Sequence, residues 1–299
     1  MIIKMYQKTI FDNLIEINFE KEVSIEDLRP WSFSKYDSYL TCPIKFFFRY
    51  IYKIDVEKNK FLAFGSGVHL VIEKLLTKPV TLNEKIILNL AKGIKSKIEP
   101  LFDIDTFESY ILYILKFVEK IKKNYSKFEV ETSYACDENF SYVPYESKHS
   151  FLRGKIDLIL EQPLEIQIID HKTTGILNNR SLKNILGTLK DKSYKQLLWY
   201  AALVSLKKPR RTYTLSFFVI KNGKIFFRKI ENLDTRKTFF KIKNRLLTIE
   251  RKLENKSIFE IIDKKSFEVL KQKNKKLCFY CDYIKYCKKL EKLLEKKYW

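Results

Sequence analysis

The spacing of apolar positions changes along the chain, and each change marks an element. From Arg153 to Lys172 (RGKIDLILEQPLEIQIIDHK) most positions are apolar, as in strands buried on both faces, and a turn at Gln162-Pro163 divides the run into two strands. FEVETSYAC (128–136) reads as another strand. RTYTLSFFVI (211–220) and KIFFRKI (224–230) flank Asn222-Gly223, a hairpin signal. Helical periodicity takes over elsewhere. The stretch 35–54 follows a candidate cap at Ser32 or Ser34 and carries Pro43, which predicts a helix, a break near Cys42 and a second helix. Phe64-Gly65-Ser66-Gly67 is expected to end a loop and open a helix, GVHLVIEKLL, that carries His69. A Lys-rich helical stretch fills about 81–125 and reads as an insertion or lid-like subdomain. SYKQLLWYAALVSL (193–206) is a strongly apolar helix after a polar loop at 175–192, and a basic amphipathic helix covers about 233–255. The first 30 residues offer an extended segment and a short helix from Ser24. This order predicts an α/β fold, a mixed sheet with helices packed on it.

Three polar residues interrupt the apolar run of 153–172: Asp157, Asp170 and Lys172. On a strand, Asp170 and Lys172 face the same way. With the turn symmetric about residues 162 and 163, Asp157 lies opposite Ile168 and diagonal to Asp170. Two carboxylates and an ammonium then converge in apolar surroundings, where like charges repel unless a cation neutralises them. Oxygen ligands of this kind suit Mg²⁺ or Mn²⁺.

Cysteines make a second group. Cys278 and Cys281 are spaced C-x2-C and Cys287 follows six residues later; a fourth ligand would come from Cys42 or Cys136. Four thiolates suit tetrahedral Zn²⁺ or an iron–sulfur cluster, and spacing does not choose between them. Composition sharpens the picture. The formal net charge is +22, from 58 Lys+Arg against 36 Asp+Glu over 299 residues, which suggests a polyanionic partner, nucleic acid above all. Aromatic residues make up 15%, and some could stack on single-stranded bases. The longest apolar run, Leu197 to Leu206, is about half of what a membrane-spanning helix needs, and the first residues lack the apolar core of a signal peptide. The expectation is a cytoplasmic protein with no membrane partner.

Taken together, SFSKYDSYLTCP (32–43), GSGVH (65–69), GKID (154–157), DHK (170–172), QLLWY (196–200) and CFYCDYIKYC (278–287) resemble the RecB-type branch of the PD-(D/E)XK nuclease superfamily. More narrowly they resemble its iron–sulfur members: the AddB nuclease domain and stand-alone RecB-like exonucleases, including the CRISPR-associated ones. The motifs come in the family's order over residues 32–287. The resemblance implies a restriction-endonuclease-like core in one nuclease domain spanning 1–299. That domain has an N-terminal extension (1–30), a helical insertion (78–125), a catalytic sheet core (128–230) and a cysteine cluster (278–287) closing onto Cys42. It implies His69, Asp157, Asp170 and the main-chain carbonyl of His171 as metal ligands, and Lys172 as the catalytic lysine. Gln196 and Tyr200 match a helix motif associated with DNA contact and site integrity. Cys42, Cys278, Cys281 and Cys287 match the ligands of a 4Fe–4S cluster, with zinc the alternative, and Cys136 goes to the core. The activity implied is metal-dependent DNA exonuclease action, single-stranded DNA favoured, with a helicase or other DNA-processing subunit as a candidate partner; DNA repair, CRISPR adaptation and viral genome processing all fit. No G-x-x-x-x-G-K-S/T motif is present, so unwinding is not carried over. The alternatives are a catalytically silent DNA-binding subunit on the same fold and a zinc-stapled endonuclease.

Overall fold

In a computed structural model of the chain, residues 17–56, 60–79, 82–173, 192–210 and 212–297 are described. The expected polar loop at 175–192 lies almost wholly outside them. Among the described residues, six strands form one mixed sheet in the order β2-β1-β3-β4-β5-β6. They are β1 (Phe128–Cys136), β2 (Tyr142–Val143), β3 (Leu152–Glu161), β4 (Glu165–Lys172), β5 (Thr212–Val219) and β6 (Lys224–Glu231). Only β4 and β5 run parallel; the other pairs are antiparallel. All eight residues of β5 are buried, Thr212, Thr214 and Ser216 among them, as in a strand covered on both faces. The β5–β6 connection turns at Gly223, whose φ of 65° is the left-handed conformation that glycine adopts without strain.

The β3–β4 hairpin corrects the expected register. Leu158 pairs with Ile169 and Ile159 with Ile168, so Asp157 comes level with Asp170, not with Ile168. The turn is Gln162-Pro163-Leu164-Glu165, closed by the Gln162 N–H on the Glu165 carbonyl at 2.9 Å. Proline's fixed φ suits the second turn position and is disfavoured at the third, where a turn centred on 162–163 would put it.

By its contacts the chain divides into two compact units, neither continuous in sequence. The larger comprises Pro30–Phe33 and Lys58–Leu246. Its core joins Leu158, Leu160, Ile169, Phe218 and Ile220 of the sheet region to helices Lys60–Thr77, Glu84–Lys97 and Ile111–Asn124. The stretch expected as an insertion is therefore helical and lays buried Ile87, Ile94, Ile114 and Phe117 into the sheet's core. Helix Lys60–Thr77 also starts earlier than the glycines suggested: Gly65 and Gly67 lie inside it, not in a preceding loop. A Cβ on Gly67 would sit 2.5 Å from the Phe102 ring, so the glycine is there for close packing. Helix Lys192–Ser205 packs on the sheet as well; Gly154 of β3 admits Tyr200 and Leu203 at about contact distance.

The smaller unit comprises Met1–Arg29, Ser34–Glu57 and Leu247–Trp299. Ser24 caps a four-residue helix, Ile25–Leu28, as expected. Helix Phe33–Thr41 ends at Cys42, which caps Pro43–Phe46, and a π-helical turn follows over Phe47–Ile51. Chain ends far apart in sequence meet within this unit. Arg29 forms a two-pronged ion pair with buried Glu250 at 2.7 and 2.8 Å, Asn274 donates to the Thr41 carbonyl at 3.1 Å, and Phe48 stacks on Tyr283.

Candidate metal and nuclease site

β3 and β4 pair from the turn up to Leu158 and Ile169, where the ladder stops. Beyond it the Asp157 carboxylate takes over the pairing, its Oδ2 accepting the main-chain N–H of His171 at 2.7 Å. Alternation along β4 sends the side chains two ways. Lys172 Nζ donates to Gln196 Oε1 at 3.2 Å on helix Lys192–Ser205, while the His171 ring packs edge-on to Phe117 of helix Ile111–Asn124. Asp170 shares the side of Lys172 and pairs with its ammonium; its Oδ2 is buried and has no other polar partner among the described residues. Gln196 Nε2 in turn donates to the Tyr200 hydroxyl at 2.9 Å, and Tyr200 is buried. The two motif residues of this helix thus hold Lys172 from behind.

His69 reaches the same point from helix Lys60–Thr77. Its Nδ1 lies 3.7 Å from Asp157 Oδ2, and its Nε2 lies 3.3 Å from the His171 carbonyl. The structure therefore brings together His69, Asp157, Asp170, His171, Lys172, Gln196 and Tyr200. It adds a residue the sequence reading left out, Glu131. Its carboxylate lies 3.4 Å from His69 Nδ1 and 3.0 Å from Lys155 Nζ. Glu131 has φ 50°, and the β1–β3 ladder skips it while pairing Val130 and Thr132 with Leu158 and Ile156. A non-glycine residue in this conformation stores strain, a common feature of functional sites. In the sequence it is one glutamate of two in an ordinary strand pattern, FEVE, and nothing there separates it from Glu129.

The electrostatics follow from crowding anions in a dry place. Burial pushes the Asp157 carboxyl up, and the nearby charges of Asp170 and Glu131 add to that against the pull of His69. Burial alone would lower the His69 imidazole, but Asp157 and Glu131 outweigh it and raise it to about 9. For Glu131, burial is outweighed by its bonds to His69 and Lys155, which bring it down to about 2. The His171 imidazole is driven down to about 3, by burial first and then by the charge of His69. Nitrogen or oxygen atoms of His69, Asp157 and His171 all fall within 4.8 Å of one another.

The cysteines form a separate group in the smaller unit. Cys42 sits at a helix cap with its sulfur 3.5 Å from the Lys45 N–H, Cys278 lies in the short helix Lys275–Phe279, Cys281 follows that helix, and Cys287 is in the first turn of helix Ile284–Lys297. Burial raises the Cys287 thiol to about 12, with further push from Cys42, Cys278 and Cys281. Cys136 lies apart, fully buried in β1. Among the described residues no helix is long and apolar enough to cross a membrane.

A family model described as "PD-(D/E)XK nuclease superfamily" matches residues 30–288. No curated protein matches the chain. One solved structure similar to it is titled "Crystal structure of SSO0001"; the match has 16% identity and a TM-score of 0.30, over 73% of this chain and 93% of that one.

Proposed function

We propose that this chain, which belongs to the PD-(D/E)XK nuclease superfamily, is a metal-dependent DNA exonuclease that favours single strands and carries a 4Fe–4S cluster. The observation that supports the catalytic reading best is the gathering of His69, Asp157, Asp170 and Lys172 where β3 and β4 part. The donor set fits a divalent ion, because Asp157 and Glu131 crowd together in a buried place and Asp170 Oδ2 has only an ammonium beside it. When bound by His69, Asp157, Asp170 and the His171 carbonyl, such an ion would acidify a water and polarise a phosphate. Lys172, held by Gln196, is poised to orient or deprotonate the attacking water, or to meet charge growing on the phosphate oxygens. Tyr200 is covered and backs Gln196, so its part is to keep that lysine in place. The +22 charge supports a nucleic-acid substrate.

The iron–sulfur reading rests on the resemblance and on the mutual electrostatic influence of the four thiols. Thiolates on a single tetrahedral zinc stand roughly 3.8 Å apart, given a Zn–S distance near 2.3 Å. The resemblance, not the spacing of the thiols, is what favours a cluster over one ion.

The deciding experiment is cleavage of labelled single- and double-stranded DNA with Mg²⁺ or Mn²⁺, wild type beside Asp170→Ala. The proposal expects cleavage from free ends by the wild type and a loss of at least about 100-fold in the variant. Equal cleavage by both would point to a contaminant. DNA binding without cleavage by either would point to a silent DNA-binding subunit.

A further inference from the structure

We infer that the imidazole of His171, and not only its main-chain carbonyl, is a ligand of the catalytic ion. The resulting set of two imidazoles and carboxylate favours Mn²⁺ over Mg²⁺. The inference rests on the metal-dependent reading above and names which side chains choose the metal.

It starts from a side chain that packing alone does not explain. The His171 ring is 1% exposed, and neither of its nitrogens has a hydrogen-bond partner among the described residues. Its neighbours are rings: Phe117 with centroids 5.6 Å away, Phe218 at 6.0 Å and His69 at 5.4 Å. A phenylalanine would fill that aromatic box with nothing left unsatisfied, whereas an imidazole leaves two dry nitrogens, which is costly. The orphaned ring points at the site. Its Nδ1 lies 4.0 Å from Asp157 Oδ2, the same oxygen that stands 3.7 Å from His69 Nδ1. Ligand atoms about 2.1 Å from one ion stand about 3.0 Å apart when adjacent and about 4.2 Å when opposite, so both pairs close on a common ion with side-chain shifts of up to about 1 Å. The third pair, His69 with His171, is within 4.8 Å and closes with a shift of the same order in each ring.

The chemistry then selects. Mg²⁺ takes oxygen and keeps its waters, while imidazole nitrogen suits later divalent metals. One imidazole among carboxylates tolerates either ion; two tilt the site towards nitrogen-accepting ones. Sequence position hid this role, because the middle residue of DHK lies on the face of β4 opposite Asp170 and Lys172. The level pairing of Asp157 with Asp170, and the hydrogen bond from the His171 N–H, bring the Asp157 carboxylate across to it.

The test counts nitrogens. Pulsed EPR of the Mn²⁺-loaded full chain should show two coupled imidazole nitrogens in the wild type and one in His171→Phe, which keeps the ring packing and the carbonyl. His69→Ala should also show one. In calorimetry, His171→Phe should weaken Mn²⁺ binding about 10–100-fold while Mg²⁺ binding changes by less than about threefold. Thermal unfolding of the metal-free proteins, with His171→Leu as a second variant, checks that the fold survives. A single imidazole nitrogen in the wild type, or an unchanged Mn²⁺ to Mg²⁺ ratio in a folded His171→Phe, overturns the inference. Neither readout needs turnover: a protein that binds Mn²⁺ through two imidazoles but leaves DNA intact would sink the nuclease reading and leave this one standing.

Discussion

His69 shows how little a residue's type says without its neighbours. As a lone histidine on a helix it carries no signal; beside Asp157 and Glu131 its imidazole is raised to about 9, so it is protonated at neutral pH in the metal-free protein. A metal ligand must be neutral, so an ion that binds here expels that proton. The sign follows: affinity should climb by up to about tenfold per pH unit from neutrality and level off near pH 9. Asp157, pushed up by burial, adds to the release. Calorimetry of Mn²⁺ binding near pH 7 in buffers of different ionisation heat should therefore show at least about one proton released per ion. Glu131→Gln, which removes one of the two anions holding the proton, should reduce that number. Binding with no proton exchange would mean that His69 is not a ligand. Asp157, Asp170 and Lys172 were legible as chemistry because polar residues in an apolar strand demand a reason. Glu131 was not, because its significance lies in a positive φ and a skipped ladder pair that leave no mark on residue type.

At the scale of elements, periodicity placed strands and helices well and placed their joints less well. The β3–β4 register moved by two residues because one proline chose its position in the turn, and the parity of side-chain faces survived the move. GSGVH was legible as a helix-associated motif but not as the interior of a helix, since glycine argues locally for a boundary. What overrides that preference is Phe102, fully buried, tilted against Phe64 and edge-on to Phe107. Gly67→Ala would gain about 1 kcal/mol of helix propensity. The added methyl would meet the Phe102 ring at 2.5 Å, inside any real contact, and that ring has nowhere to move. Overpacking of this kind costs about 1–3 kcal/mol, so the net effect should be destabilising. Gly93, in helix Glu84–Lys97, has open space where a Cβ would stand, with nothing within 4 Å, and Gly93→Ala should stabilise by up to about 1 kcal/mol. Denaturant unfolding of the two variants should move in opposite directions. The same direction for both would mean that Phe102 does not decide whether a side chain is tolerated at Gly67.

For the molecule as a whole, the telling feature is a chain that folds back on itself twice. The smaller unit is assembled from segments of both ends and contains Cys42, Cys278, Cys281 and Cys287. The sequence made the cysteines candidate ligands because three of them fall within ten residues; the choice of Cys42 over Cys136 as the fourth rests on the resemblance, and Cys136 lies in a buried strand. Tying so long a loop through one cluster would stabilise the folded chain by on the order of 5 kcal/mol on the entropy argument used for disulfides. That is a large part of a typical folding free energy of about 5–15 kcal/mol. If the cluster is the tie, protein purified without oxygen should be brown and hold about four irons per chain, and Cys278→Ala should lose the colour, unfold at a markedly lower temperature and bind DNA more weakly. The ligands of the catalytic ion lie outside the substituted segment, so Mn²⁺ bound to folded Cys278→Ala should give the same imidazole count as the wild type. A colourless wild type with stoichiometric zinc would replace the cluster by a single ion. Unchanged thermal stability in Cys278→Ala would show that hydrophobic contacts such as Phe48 on Tyr283, and the Arg29–Glu250 pair, hold the two ends together without it.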